Sequence, residues 1–337
     1  MIWIKYKINY IELIGDNMKK FIKENFRFLL LLAFMIIIFE VELPYYIEAP
    51  GGTINITKRI DNKYKRKNGS LNMLYVTEYK GNIATVLLSK VIKSWDLYEI
   101  KNQQISNEDA HDIYIRNKVM LDNSIQNATV VAYRAAGKNI DIKNKENVII
   151  ATTKENGFNI GDIVLTIDDL EVVDINTIKE YLKNSTPGTN IKVKIKRDKK
   201  EKTINVTLDE DKLLGIMMIT NYEYDTEDDL DIVFKSGEGG SSGGLILSLA
   251  IYSKITGIDI LKGRNISGTG TIDINGNVGE IDGIKYKIAG AVKDHMDVIL
   301  VSPYNYEEAK KVIQENKYKI ELVKINTFEE AIEYLTK

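Results

Sequence analysis

No cysteine occurs in the 337 residues, which removes disulfides, zinc–thiolate sites and thiol nucleophiles from consideration. Such a chain suits an exported bacterial protein. Histidine is nearly absent too: His111 and His295 are the only two, too few for a histidine-rich metal site. His295 follows a helical pattern and precedes a strand, and His111 lies in a polar stretch, so neither has the setting of a Ser-His-Asp triad. No charge of one sign dominates. A net charge of −2, with 28% charged and 44% hydrophobic residues, is an ordinary globular balance that points away from nucleic acid and from disorder. There is no internal repeat, low-complexity tract or dinucleotide fingerprint. The acidic cluster 225–231 lacks EF-hand spacing and reads as a solvated loop. No cofactor and no metal is expected.

Long apolar runs are scarce as well, with one exception. Phe28–Phe39 is uninterruptedly apolar, preceded by Lys19, Lys20, Lys23 and Arg27 and followed by Glu40, Glu42 and Pro44. The run is shorter than the roughly 20 residues of a membrane span, but Val41, Leu43, Tyr45 and Tyr46 extend it with aromatics placed as at an interface. No small-residue cleavage pattern follows closely. The expectation is an uncleaved transmembrane anchor at 28–46, with 1–27 cytoplasmic and the rest outside the membrane. Met18-Lys-Lys-Phe reads as a natural start, which would make 1–17 an extension.

After a turn-rich exit at 45–52, Leu71–Tyr79 and Asn82–Leu88 alternate as strands, and Asp109–Ala136 reads as a long helix. These belong to an extracytoplasmic region at 47–138. Residues 139–209 form a compact unit: a short apolar strand Val148–Ala151, a strand Asn159–Asp168 opened by Gly161-Asp162, a helix Asn176–Leu182, a Pro187-Gly188 turn and a strand pair Ile191–Lys196 and Lys202–Leu208. The Gly-Asp-Ile-Val-Leu-Thr-Ile-Asp run, the helix, the Pro-Gly turn and the strand ending in Arg197-Asp198 resemble a bacterial protease-associated PDZ domain. A Gly-Leu-Gly-Phe-type carboxylate loop is missing. The last section alternates strand and helix: a β-arch Arg264–Ile281 turning at Asn275-Gly276, a helix Ile284–Lys293, a strand Val298–Val301, a helix Tyr304–Glu315, a strand Ile320–Ile325 and a helix Phe328–Leu335. That pattern indicates an α/β layered core.

What is abundant is glycine at one place. Ser236–Gly244 reads Ser-Gly-Glu-Gly-Gly-Ser-Ser-Gly-Gly and runs straight into an apolar helical pattern, with Leu245, Leu249 and Tyr252 on one face and a stop near Gly257. Two serines therefore stand at a helix N-terminus, where free N–H groups and the positive dipole end favour negative charge. The run lacks the lysine of a phosphate loop. It suits a nucleophile beside an oxyanion site. Without the setting for a histidine triad, a lysine can serve as base only where burial disfavours its ammonium form. Forty-five positions on (287 minus 242), Gly283–Val292 offers two, Lys285 and Lys287, on opposite flanks of the apolar face made by Ile284, Ile288, Ala291 and Val292. Helical spacing alone does not choose between them.

These motifs resemble the proteolytic domain of Lon proteases, and more closely the membrane-anchored, PDZ-containing Lon-like proteases that lack an ATPase module. Gly240-Ser-Ser-Gly-Gly244 is similar to the family's Gly-Pro-Ser-Ala-Gly loop, Gly268–Val278 to its β-arch, and Asp282-Gly-Ile-Lys-Tyr-Lys287 to its Gly-Gly-x-Lys-x-Lys helix start. Ser241 stands where the family has proline, and Gly243 where it has alanine. The resemblance implies Ser242 as nucleophile, Lys287 as base, Thr269 as the hydroxyl that orients Lys287, and the backbone N–H groups of Gly240, Ser241 and Ser242 as the oxyanion hole. It implies a homo-oligomer as well.

The fold expected is thus an α/β (α+β) Lon-type proteolytic domain at 210–337, a PDZ-like β-rich domain and an N-terminal transmembrane helix. Residues 74–88 and 120–131 resemble the early strands and first helix of the Lon fold, so the PDZ-like unit would interrupt the protease domain. The expected function is an ATP-independent, membrane-anchored serine endopeptidase acting on exported or membrane-associated proteins, its PDZ-like domain binding substrate by strand addition or gating access. The alternative is a non-catalytic PDZ scaffold that binds exported proteins.

Overall fold

The computed structural model describes residues 2–60, 69–99, 108–153, 156–228, 230 and 232–337, with side chains from Met18 onward. In chain order the first elements are α1 (Ile2–Glu40), β1 (Glu42–Asn55), α2 (Thr57–Ile60), β2 (Ser70–Asn82), α3 (Ile83–Ser89), β3 (Asp96–Glu99) and α4 (Ala110–Ala135). Then come β4 (Ile140–Thr152), β5 (Ile163–Ile167), β6 (Leu170–Glu171), α5 (Ile175–Lys183), β7 (Asn190–Arg197), β8 (Lys200–Thr207) and β9 (Ile216–Thr226). The last third holds α6 (Gly244–Thr256), β10 (Asn265–Thr269), β11 (Thr271–Ile272), β12 (Val278–Gly279), α7 (Ile284–Lys293), β13 (Val298–Val301), α8 (Tyr306–Asn316), β14 (Glu321–Lys324) and α9 (Phe328–Thr336).

The chain divides into two compact units, 1–49 with 78–103, and 50–77 with 104–337. The first contains α1 and overturns the expected anchor. Among the described residues no helix is long and apolar enough to cross a membrane. The physical reason is local. Lys19, Lys20, Lys23, Glu24 and Arg27 precede the apolar run on α1, and the helix stops at Glu40. Leu43, Tyr45 and Tyr46, which were to lengthen the span, lie instead in β1, where Tyr45 pairs with Glu99 and Tyr46 with Tyr98. The single-pass topology, cytoplasmic 1–27 and extracytoplasmic remainder drawn from that anchor lose their basis. A second correction falls nearby: 82–88 is not a strand. Asn82 caps the N–H of Thr85 while Thr85 Oγ1 accepts from the N–H of Asn82, a reciprocal cap that starts α3.

In the second unit the parallel strands run in the order β14-β13-β10-β2. Alternation along the strands splits the core between two faces. Leu71, Met73, Ile266, Val298 and Leu300 pack with Leu245, Ile246 and Leu249 of α6 and with Ala128, Val131 and Tyr133 of α4. Leu74, Ile299 and Val301 pack with Ile284, Ile288 and Ala291 of α7. Helices α6 and α7 therefore lie on opposite faces of one sheet. Helix α4 starts where Asp109 accepts from the N–H groups of His111 and Asp112. Helix α6 is buried all round rather than along one face, from Gly244 through Ile251, each Leu or Ile contributing about 2 kcal/mol of apolar burial. It ends at Gly257, whose φ of 71° is left-handed.

Between α4 and α6 the chain builds a separate core. A sheet in the order β8-β7-β5-β4-β9, with β6 on β5, packs Ile149, Val164, Ile167, Ile191, Val193 and Ile195 against Ile178 and Leu182 of α5. Strand β9 pairs with β4 from Ile216↔Thr152 to Thr226↔Ile140, then leads to the glycine-rich loop.

Candidate active site

The sheet's C-terminal edge gathers the singled-out residues. Thr269 ends β10, and beyond it Gly270 donates its N–H to the Ser242 carbonyl at 2.9 Å while its own carbonyl accepts from Leu245 at 3.1 Å. These bonds fasten the start of α6 to the strand end. The Thr269 hydroxyl donates to the same Ser242 carbonyl at 3.2 Å, so what it holds directly is the glycine-rich loop. Helix α7 begins at the same edge: a Cβ on Gly283 would lie 2.9 Å from Val76, beyond the β2 residues that pair with β10. Its far end lies by the start of β10, where Asp297 donates to the Asn265 carbonyl. Crevices outside the carboxyl ends of parallel strands are where α/β sheets bind ligands.

Two lysines that helical spacing could not separate are separated by burial. Lys287, in the first turn of α7, is 4% exposed, which rules out a snorkelling surface lysine there. Lys285 is half-buried and rests its ammonium over the Tyr286 ring, 4.8 Å from the centroid.

The loop is held by α4. The Gly240 N–H donates to the Asn117 carbonyl at 2.8 Å, so that member of the expected oxyanion hole is already engaged. Ser124 Oγ donates to the Ser241 carbonyl at 3.2 Å, and Asn127 Nδ2 to the Ile272 carbonyl at 3.1 Å. The Ser241 and Ser242 N–H groups make no hydrogen bond among the described residues, nor does the Ser242 hydroxyl. Packing explains one of the two departures in this loop, Gly243. A Cβ on Gly243 would stand 1.9 Å from Met73 Sδ, and one on Gly244 would stand 2.8 Å from the Ile272 nitrogen. Met73 fills the space that an alanine at 243 would need.

Beside the loop lies a cleft of about 390 Å³, walled by Met120, Asn123 and Ser124 of α4, Ile219 of β9, Ser241, and Thr271 of β11. Sequence reasoning missed Ser124, which holds the loop, Asn123, which holds β9, and Asn127, which holds β11. It missed β9 as well, although Tyr222 and Tyr224 alternate there with polar residues.

With this geometry in view, two segments match known families. Residues 142–208 match the PDZ domain, and residues 221–337 match the Lon protease (S16) C-terminal proteolytic domain. Three relatives are themselves Lon proteases. That of Neorickettsia sennetsu is 26% identical over 99 residues, 29% of this chain and 12% of its own length. That of Campylobacter jejuni is 32% identical over 96 residues, 28% of this chain and 12% of its own. That of Clostridium beijerinckii is 30% identical over 109 residues, 32% of this chain and 14% of its own. The chain thus spans about one eighth of the length of these relatives. Both kinds of match support the reading of the chain as a serine peptidase, and β9 begins in the gap between the two matched segments.

Proposed function

We propose that this chain is a serine endopeptidase in which Ser242 attacks a peptide carbonyl and Lys287 takes its proton. The observation that carries the reading is the convergence at one sheet edge: the Ser242 carbonyl clamped by Thr269 and Gly270, at an edge where α7 also begins with a buried lysine in its first turn. Burial and the positive end of the α7 dipole both disfavour an ammonium ion, and the neutral amine is the form a general base needs. The N–H groups of Ser241 and Ser242, at the start of α6, would receive the oxyanion. The bond from Ser242 Oγ to the acyl carbon forms, the C–N bond breaks, and Lys287 returns the proton to the leaving amine. Water then hydrolyses the acyl-enzyme. Protein or peptide substrates, independence from ATP and self-assembly of the chain belong to the same reading.

The test is casein hydrolysis by the full chain with no nucleotide. Activity should vanish in Ser242→Ala and in Lys287→Ala and persist in Ser241→Ala and Lys285→Ala. Undiminished hydrolysis by Ser242→Ala overturns the assignment, and a parent chain that binds peptides without cutting them favours a non-catalytic scaffold.

A further inference from the structure

A PDZ-like sheet that binds a peptide by strand addition must have an open edge. Around Asn147 and Val148 the strand β4 has none, because β5 pairs with one side there and β9 runs along the other from Thr152 to Ile140. Ile216 and Met218 of β9 also pack against the core of this sheet, to which Ile178 and Leu182 of α5 belong. The chain's own returning strand thus lies along β4. Among the described residues the strands at the two ends of the sheet order are β8 and β9, and of these β9 walls the cleft that contains Ser241.

The backbone of β9 shows which of its groups face outward. Asn123 Nδ2 donates to the Thr220 carbonyl at 2.7 Å, and the Tyr222 N–H donates to Gln126 Oε1 at 2.8 Å. Both groups therefore point away from β4, and α4 caps them. Met218 precedes Thr220 by two residues in the same unbroken register, Met218↔Ile149 to Tyr222↔Lys145, so its N–H and C=O turn the same way. No amide of α4 caps Met218. The uncapped end of the edge is thus next to Ile219, which lines the cleft, and the cleft leads past Asn123 and Ser124 to the nucleophile loop.

We propose that an extended peptide adds as a seventh strand to the outer edge of β9, main chain against Met218, and passes through the cleft to Ser242. The occupant is a peptide main chain because the edge offers backbone donors and acceptors, while the cleft walls, with Met120, Ile219, Ile272 and Val278 beside Asn123 and Thr271, present no unpaired charge. Its one carboxylate, Asp273, already accepts from the N–H groups of Asn275 and Asn277 and from the Asn277 amide. This rests on the peptidase reading and gives it a substrate track: the PDZ-like sheet would hold the substrate on β9 instead of on β4.

The absence of cysteine makes the test clean. Full-length protein carrying Ser242→Ala receives one thiol, either by Met217→Cys on β9 or by Lys202→Cys on the opposite edge strand β8, both exposed positions. The probe is an acetylated, amidated alanine-rich octapeptide with one thiopyridyl-activated cysteine. Attack by the protein thiolate forms a mixed disulfide and releases thiopyridone, so the rate is read as absorbance. Capture at 217 should be at least about fivefold faster than at 202. N-methylation of the peptide should slow capture at 217 by about fivefold at alternate residues only, one lost backbone bond each. Equal rates at the two positions, or an N-methyl scan without period-two alternation, overturn the proposal. Capture with this signature by a chain that hydrolyses nothing with Ser242 intact keeps the strand site and removes the peptidase. Hydrolysis without the signature does the reverse.

Discussion

Two buried polar regions of this molecule are built on opposite rules. In the PDZ-like core, Asp162 is 1% exposed and fully occupied: Arg197 reaches it with Nε at 2.7 Å and Nη2 at 2.6 Å, and the Asn159 N–H donates to it at 2.8 Å. The Arg197 guanidinium also donates to the Gly157 carbonyl, and its hydrogen bonding to Asp162 raises its pKa. At the sheet edge the side chains of Thr269, Ser124 and Asn127 bond backbone carbonyls instead, and the Ser242 hydroxyl and the N–H groups beside it make no bond among the described residues. Asn127 Oδ1 is buried there without a partner among the described residues. A saturated polar cluster specifies a fold, whereas an unsaturated one leaves donors and a nucleophile for something that arrives later.

The sharpest way to break that comparison is to remove one member from each region. Ser242→Ala or Lys287→Ala should lower kcat by at least about 10⁴-fold while leaving the melting temperature within a degree or two of the parent, read by peptide hydrolysis and circular dichroism. Asp162→Ala should do the opposite. It leaves Arg197 without its carboxylate and should lower stability by about 3–5 kcal/mol, measured by urea titration, with little loss of kcat in the protein that remains folded. If the Asp162 variant were as stable as the parent, the saturated cluster would not be what holds the second core.

A smaller effect tests the packing of the loop itself. Gly243→Ala drives a methyl group into Met73 and should cost about 1–3 kcal/mol. Met73→Ala opens a cavity under the loop and is destabilising alone. The double variant should be less destabilised than the sum, because the new methyl enters the space Met73 leaves. Strict additivity in urea titrations would mean that Gly243 and Met73 are not coupled.

How much of this was legible in the sequence differs between local and tertiary features. Helix ends with chemical marks were readable: Asp109 before α4, Gly257 after α6 and the strand Val298–Val301 fall where the pattern puts them. The loop motif was readable because its spacing is local. Helical spacing did not separate Lys285 from Lys287, and only the resemblance chose Lys287, since the packing of α7 on the sheet decides which is buried. Ile83–Leu88 has strand-like composition, but one reciprocal cap at Asn82 and Thr85 overrides it. The anchor failed because periodicity says how apolar a run is and not where the helix ends. Strand β9 was overlooked because its partner β4 begins 76 positions earlier (216 minus 140), and its acidic end was read as loop. Of 225–231, Asp229 and Asp231 lie outside the described residues, while Asp225 and Thr226 are in β9.

That acidic end carries the smallest prediction, and it returns to the theme of saturation. Asp228 accepts from Lys138 at 2.8 Å and from the Tyr133 hydroxyl at 2.9 Å. The Lys138 hydrogen bond leads in holding the Asp228 carboxyl below the usual carboxylate range, and burial, then Asp228, pushes the Tyr133 hydroxyl up to about 12. Because the folded carboxyl titrates lower than the unfolded one, its stabilising contribution is complete above the unfolded value of about 3.9 and is lost as pH falls through the folded value. The gap in stability between the parent and Asp228→Asn should therefore be widest above pH ~5 and close as pH drops below ~4, followed by urea titration at each pH. Tyr133→Phe should cost about 0.5–1.5 kcal/mol and leave the sign of that slope unchanged, since the lysine remains. A gap that widened on acidification would mean that Asp228 is held above its unfolded pKa. The C-terminal end of α4 would then owe its order to Tyr133 packing.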